Sequence, residues 1–244
     1  MRIEIVALSN IPEVRRGDDL AALIRDAAKK EDQPVDGSVV VAVAQKIVSK
    51  AEGAVADLRQ IQPSALAQSW AREWSKDARL IELILSQSRR ILKMDRGVLI
   101  AETRLGHVCA NAGVDQSNVE GDNFATVLPA NPDGSATRLW TELGCGAVII
   151  TDTFGRPWRE GLVDVAIGVA GLPPLEDYRG TEDRRGRKLS GTIVAVADQL
   201  AAAAGILMRK PLGSPVVFIR GFRWQRGEGS ARALIRTPEQ DLFR

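Results

Sequence analysis

Residues 38 to 44, SVVVAVA, decide the fold. The run is β-branched, continuous and short. A strand with one wet face alternates apolar and polar residues, and this one does not. It reads as a strand covered on both faces. Working outward, residues 2 to 8 alternate as a strand. RGVLIAET (96 to 103), GAVIIT (146 to 151), LVDVAIGVAG (162 to 171) and SPVVFIRG (214 to 221) supply more. Helices fall between them. GDDLAALIRDAAKK opens with Asp18 and Asp19 as a cap pair, and Leu20, Leu23, Ile24 and Ala27 follow at helical spacing. Residues 63 to 92 read as two helices broken at Ser75-Lys76-Asp77, with Trp70 and Trp74 on one core-facing side. Pro132-Asp133-Gly134 reads as a turn, with Ser135 capping a short helix. A last helix spans about 191 to 208. Strands and helices mix without a βαβ rhythm. The expectation is an α/β (mixed α+β) fold, a mixed sheet with two intimately packed lobes, neither P-loop nor Rossmann. No composition shift marks a linker, so 1 to 244 reads as one domain.

Bulk properties narrow the function. The formal charge is only +2, which argues against a nucleic-acid binder. Cys109 and Cys145 sit in apolar contexts without CxxC spacing, so neither a disulfide framework nor a zinc site is expected. The longest apolar run, TIVAVADQLAAAAGILM, is broken by Asp198 and Gln199 and is no membrane span. MRIEIVALSN lacks a signal-peptide core, and a cytoplasmic location is expected. With His107 the sole histidine, and read as a structural loop residue, catalysis should rest on carboxylates, cationic side chains or a hard metal.

Asp115 and Asp152 each follow an apolar, strand-like run. Carboxylates at strand exits lie on the rim of a sheet, where α/β proteins bind ligands. Mg²⁺ is held by one or two carboxylates plus phosphate oxygens and water, so the pair suits a metal–nucleotide site, to which Thr153 could add a hydroxyl. The bland alternative is that both aspartates cap turns or helices. Lys50, Arg156 and Arg159 offer cations for phosphate or carboxylate groups, or are merely solvated. NAG, GDN, PDGS and GEGS loops can aim backbone N–H groups at anions or be ordinary turns. There is no GxxxxGKS and no GxGxxG after a strand, so a nucleotide site would be of another type.

Six stretches in order resemble the CofE-type coenzyme F420-0:γ-glutamyl ligase family: IVSKAEG (47 to 53), NAGVDQSNV (111 to 119), PDGSA (132 to 136), ITDTFGRPWREG (150 to 161), VAIGVAG (165 to 171) and DYRGTEDRRGRKL (177 to 189). The likeness runs over nearly the whole chain. It implies a GTP-dependent amide ligase that joins L-glutamate to a deazaflavin coenzyme precursor and extends the tail by γ-linkage through an acyl phosphate. It also implies Mg²⁺ or Mn²⁺, K⁺ and a homodimer. Carried over by residue, Asp115 and Asp152 would hold metal and Thr153 would ligate another. Lys50 would contact the nucleotide and act in catalysis. Ile11, Pro12, Gln45, Lys46, Asn118, Met208 and Gly213 would line the nucleotide site. Arg156 and Arg159 are guesses, from charge, for anchoring the acceptor or the incoming glutamate.

Two departures stand out. Archaeal members carry an acidic, glycine-rich loop after the long helix, whereas this chain reads MRKPLGSP, so a further metal site lacks its acid unless Arg209 and Lys210 take over the charge. Gln45 and Lys46 occupy a loop where hydroxyl residues are common in the family. The flavin-dependent reductase domain that some bacterial relatives append is not expected here. Two alternatives use the same residues: a metal-dependent phosphotransferase or GTP hydrolase acting on another small acid, and a non-catalytic nucleotide-binding protein.

Overall fold

The computed structural model describes residues 2–117, 121–208 and 214–241. The first half of the chain forms β1 (Glu4–Leu8), α1 (Leu20–Lys30), β2 (Val40–Ala44), α2 (Gln45–Ala51), β3 (Val55–Asp57), α3 (Ala65–Trp74), α4 (Ala78–Gln87), β4 (Ser88–Asp95), β5 (Val98–Thr103) and β6 (Val108–Ala110). The second half forms β7 (Phe124–Thr126), α5 (Pro132–Leu143), β8 (Ala147–Arg156), β9 (Arg159–Ala170), β10 (Glu176–Asp177), β11 (Ile193–Val194), α6 (Val196–Gly205) and β12 (Val216–Arg220).

The principal sheet has the order β1-β12-β2-β8-β9. Only β2 and β8 are parallel; the other neighbours are antiparallel. The opening valine run is its central strand, and its side chains alternate. Val39, Val41 and Val43 pack with Leu20 and Ile24 of α1 and Leu139 of α5. Val40 and Ala42 pack with Val196, Leu200 and Ala204 of α6. Both faces are therefore covered, which is why residues 39 to 44 include no polar residue. A separate cluster of Trp70, Ile81, Ile84, Leu99 and Ala101 ties α3 and α4 to the small β4-β5-β6 sheet. Trp70 is buried there and Trp74 packs against the cluster, as their spacing predicted.

Several expectations need correction. The helix expected to reach residue 92 stops at Gln87, because residues 88 to 95 pair antiparallel with β5 around a turn at Arg96-Gly97, both at positive φ. Ladder pairing there satisfies the backbone that an isolated helix would have satisfied internally. The break at Ser75-Lys76-Asp77 is real: Ser75 is the left-handed C-cap of α3, and Asp77 caps α4 by accepting from the Arg79 N–H. Pro132-Asp133-Gly134 is not a turn but the first turn of α5. Asn131 is its cap, accepting from the Gly134 N–H at 3.1 Å, and Pro132 sits at the first helical position, where no N–H is required. Ser135 lies inside the helix and donates to Glu52. The last helix is shorter than 191 to 208, because Ile193 and Val194 form β11 against β10. Asp19, not Asp18, caps α1; Asp18 instead accepts from the Arg15 N–H at 2.7 Å and folds the preceding loop. Among the described residues no helix is long and apolar enough to cross a membrane.

Candidate active site

The site forms where β2 leaves the principal sheet. β2 pairs with β8 only as far as Ala44 opposite Thr151, and the chain then turns straight into α2. Gln45 and Lys46 therefore open a helix rather than lie in a loop. β8 does not end at Asp152 as its apolar run suggested. It continues to Arg156, paired with β9 in a long hairpin. Asp152 is thus the first β8 residue beyond the reach of β2, at the rim although not at a strand end.

A cleft of about 1060 Å³ opens there, at the top of the range of roughly 300–1,000 Å³ usual for small-molecule sites. Its walls include Asp115, Asp152 and Thr153, together with Gln45, Lys46 and Lys50 from α2. Ile11, Pro12 and Met208 line it as well. Asn118 and Gly213 lie outside the described residues, as do Arg209 and Lys210.

Asp115 is delivered by an unusual turn. Asn111, Ala112 and Gly113 all have positive φ. A Cβ on Gly113 would come within 2.6 Å of Leu128, so glycine is required both for conformation and for space. The chain then bridges to Thr126 through paired backbone hydrogen bonds of 3.0 and 2.9 Å. Asp115 also organises a local turn, accepting from the Ser117 N–H at 2.7 Å and its hydroxyl at 2.8 Å. Asp115 therefore both caps a turn and lines the cleft.

Lys46 completes this corner. Its ammonium donates to Asp115 Oδ2, to the Ser117 carbonyl and to the Ser117 hydroxyl, each at 2.6 Å. Burial alone would raise the Asp115 pKa, but Lys46 and the Ser117 N–H outweigh it and hold the carboxyl below its ordinary value. Lys50, one turn further along α2, pairs instead with Glu13.

Asp152 has the opposite environment. The residue as a whole is part-exposed, yet its carboxyl group is packed round by protein. That burial, with added repulsion from Asp115 and Asp164, pushes its pKa up to about 7, although the Thr153 N–H and the Gln45 side chain pull it down. Asp115 and Asp152, distant in sequence, therefore feel each other's charge across one cleft. Thr153, although adjacent to Asp152, projects from the other face of β8 by the period-2 rule. Its hydroxyl donates to Asp164 Oδ1 at 2.6 Å.

Asp164 also lines the cleft, and sequence reasoning missed it. Its signal was the hairpin: with Pro157 and Trp158 at the tip, the β8/β9 register puts Asp164 opposite Thr153. Glu13, Arg15 and Arg16, also in the wall, were missed because they lie in a loop with no periodic pattern. Arg156 and Arg159, by contrast, are not in the wall. Arg156 curls back to donate to the Glu160 carbonyl at 2.6 Å, and Arg159 lies beside the hairpin tip, so their proximity to Asp152 in sequence is undone by strand extension.

His107 is part-buried, its ring edge-on to Phe154 at 5.9 Å, and burial lowers its pKa. Both cysteines are free and buried, with pKa values pushed up to about 12 by burial, which makes them poor nucleophiles.

The donors facing the cleft are hard oxygens, and a raised carboxyl pKa beside two other carboxylates marks a place that favours added positive charge. Among the described residues no three His, Cys, Asp or Glu side chains form a ready-made metal cage. Two carboxylates supplemented by substrate oxygens is the arrangement usual for Mg²⁺.

Fold and site together define a mixed α/β protein whose sheet-rim cleft gathers carboxylates and lysines among apolar walls, built without a P-loop or a Rossmann motif. Its family follows from comparison with known proteins. Residues 9–221 match the model of the F420-0:Gamma-glutamyl ligase family, and the chain belongs to that family. It is 46% identical to the coenzyme F420:L-glutamate ligase of Methanothermobacter thermautotrophicus over the full length of both chains. It is also 46% identical to that of Methanopyrus kandleri, covering 100% of this chain and 98% of the relative. The enzyme of the same name from Methanocaldococcus jannaschii is 38% identical, with 100% and 97% covered.

Proposed function

We propose that this chain is a GTP-dependent coenzyme F420-0:L-glutamate ligase that also extends the γ-linked glutamate tail. The observation that carries this reading is the convergence of Asp115, Asp152 and Lys46 on one cleft in a chain of this family. A carboxylate is a poor acyl donor in neutral water. In the proposed reaction an oxygen of the acceptor carboxylate attacks the γ-phosphorus of GTP and GDP departs. The glutamate amine nitrogen then attacks the acyl carbon, phosphate leaves with the acyl oxygen, and the amine loses a proton.

Asp115 and Asp152 fit a hard divalent ion, Mg²⁺ or Mn²⁺, and Thr153 would offer its hydroxyl oxygen to another. When bound, these ions would neutralise charge on the phosphates. Lys46 and Lys50 lie where their ammonium groups can hold phosphate oxygens, given up by Asp115 and Glu13. Ile11, Pro12 and Met208 provide apolar surface for the nucleotide. Arg15 and Arg16 stand at the same cleft, replacing Arg156 and Arg159 as anchors for an anionic acceptor. K⁺ as an auxiliary ion, a homodimer and a cytoplasmic location complete the proposal.

The decisive measurement is mass analysis after incubation with the deazaflavin precursor, L-glutamate, GTP and Mn²⁺. A gain of one glutamyl residue, dependent on both GTP and Mn²⁺, is expected. GTP hydrolysis with no gain under any of these conditions would replace this reading with a phosphohydrolase.

A further inference from the structure

Resting on the reading that Thr153 offers a hydroxyl oxygen to a divalent ion, we propose that Asp164 is the positioning residue for that hydroxyl. The β8/β9 register sets Asp164 directly opposite Thr153, and directly opposed residues of an antiparallel pair share a face. Thr153 Oγ1 donates to Asp164 Oδ1 at 2.6 Å. A threonine hydroxyl has one proton and two lone pairs. With its proton committed to Asp164, it can present only lone pairs to the cleft that both residues line. It is thereby converted from an ambivalent group into an acceptor, the form a cation needs.

The carboxylate is itself held in place. Its second oxygen lies against Gly205 at the C-terminal end of α6, where a Cβ would stand 1.9 Å from Oδ2. Any side chain at residue 205 would therefore drive the carboxylate off its present position. A pair that merely fixed hairpin register would need neither this backing nor a place in the cleft wall. Carboxylates that orient ligand groups are a general feature of metal sites.

The test uses Mn²⁺ itself as the probe, with binding to the full chain followed by electron paramagnetic resonance and folding checked by thermal melting. Asp164→Ala should weaken Mn²⁺ binding by about 10-fold, whereas Asp164→Asn, which keeps a carbonyl acceptor without the charge, should stay within about 3-fold of wild type. The double variant Thr153→Val/Asp164→Ala should bind no more weakly than Thr153→Val alone, because a residue that acts through another has no effect once that other is gone. Gly205→Ala alters no ligand chemistry and improves helix propensity, yet should reproduce the Asp164→Ala loss. An asparagine variant as impaired as the alanine variant would overturn the inference, since charge rather than acceptor geometry would then be at work. So would a double variant whose losses multiply. A wild-type protein that binds no Mn²⁺ would instead overturn the underlying reading of the site, and this inference with it.

Discussion

Asp115 and Asp152 face one cleft from two regions of different construction. The turn from Asn111 to Ser117 brings its own counter-charge: Lys46 and the Ser117 donors hold Asp115 ionised. The β8/β9 hairpin brings Asp152 into the same space with burial and two carboxylate neighbours, and its pKa rises. One carboxylate has a cationic partner within the chain; the other accepts from the Thr153 N–H and the Gln45 side chain, and among the described residues no cation pairs with it. A carboxyl group so placed gains from added positive charge, a proton included, which its raised pKa expresses.

The strongest way to break this contrast is Asp152→Asn. Turnover should fall by at least about 100-fold, measured by glutamyl transfer, while the fold persists. The same variant should be more stable than wild type at pH 8 in the absence of divalent ions. Unfolded, Asp152 ionises near the ordinary carboxylate value of about 3.9; folded, it keeps its proton to about 7. Between those values the folded state binds the extra proton. The resulting stability is full below about pH 4 and lost as pH rises through about 7. Asp152→Asn should remove that slope from the cation-free melting profile, and an unchanged slope would assign it to another group.

Lys46→Met attacks the other side. It strips Asp115 of its counter-charge and should make the two carboxylates alike. Leaving a part-buried carboxylate unpaired should cost about 1–3 kcal/mol, read by urea denaturation at pH 7. Gly113→Ala disturbs the turn rather than the charge. Positive φ and the approach to Leu128 together should cost roughly 1–2 kcal/mol, and Mn²⁺ affinity should drop with it. A variant that melts at the wild-type temperature would show that the turn tolerates a Cβ. The smallest effect belongs to Arg156→Ala and Arg159→Ala. Both guanidinium groups lie off the cleft, so KM for the acceptor should move by less than about 2-fold, as for surface changes away from a site. A large rise in acceptor KM would return them to the binding site.

Much of this was legible in the chain itself. The valine run announced a doubly covered strand because a buried strand admits no polar position. Leu20, Ile24 and Ala27 announced an amphipathic helix by spacing. Asp115 and Asp152 drew notice because each interrupts an apolar run. Residues 88 to 95 misled for the complementary reason: local periodicity cannot report a partner strand, and β5 decided the outcome. Glu13 and Arg16 carried no local signal at all, and Asp164 carried only that of its hairpin. Their place in the cleft comes from a hairpin register and from a loop folded over α2.

The central strand with both faces covered, the amphipathic spacing of α1 and the standing of Asp115 and Asp152 beyond apolar runs were thus written in the sequence, since each follows from short-range pattern and burial. Which lysine serves Asp115, how far β8 runs beyond β2, and that Asp164 meets Thr153 against Gly205 were decided only by tertiary structure. Charge pairing and close approach depend on distances in space, and spacing along the chain does not encode them.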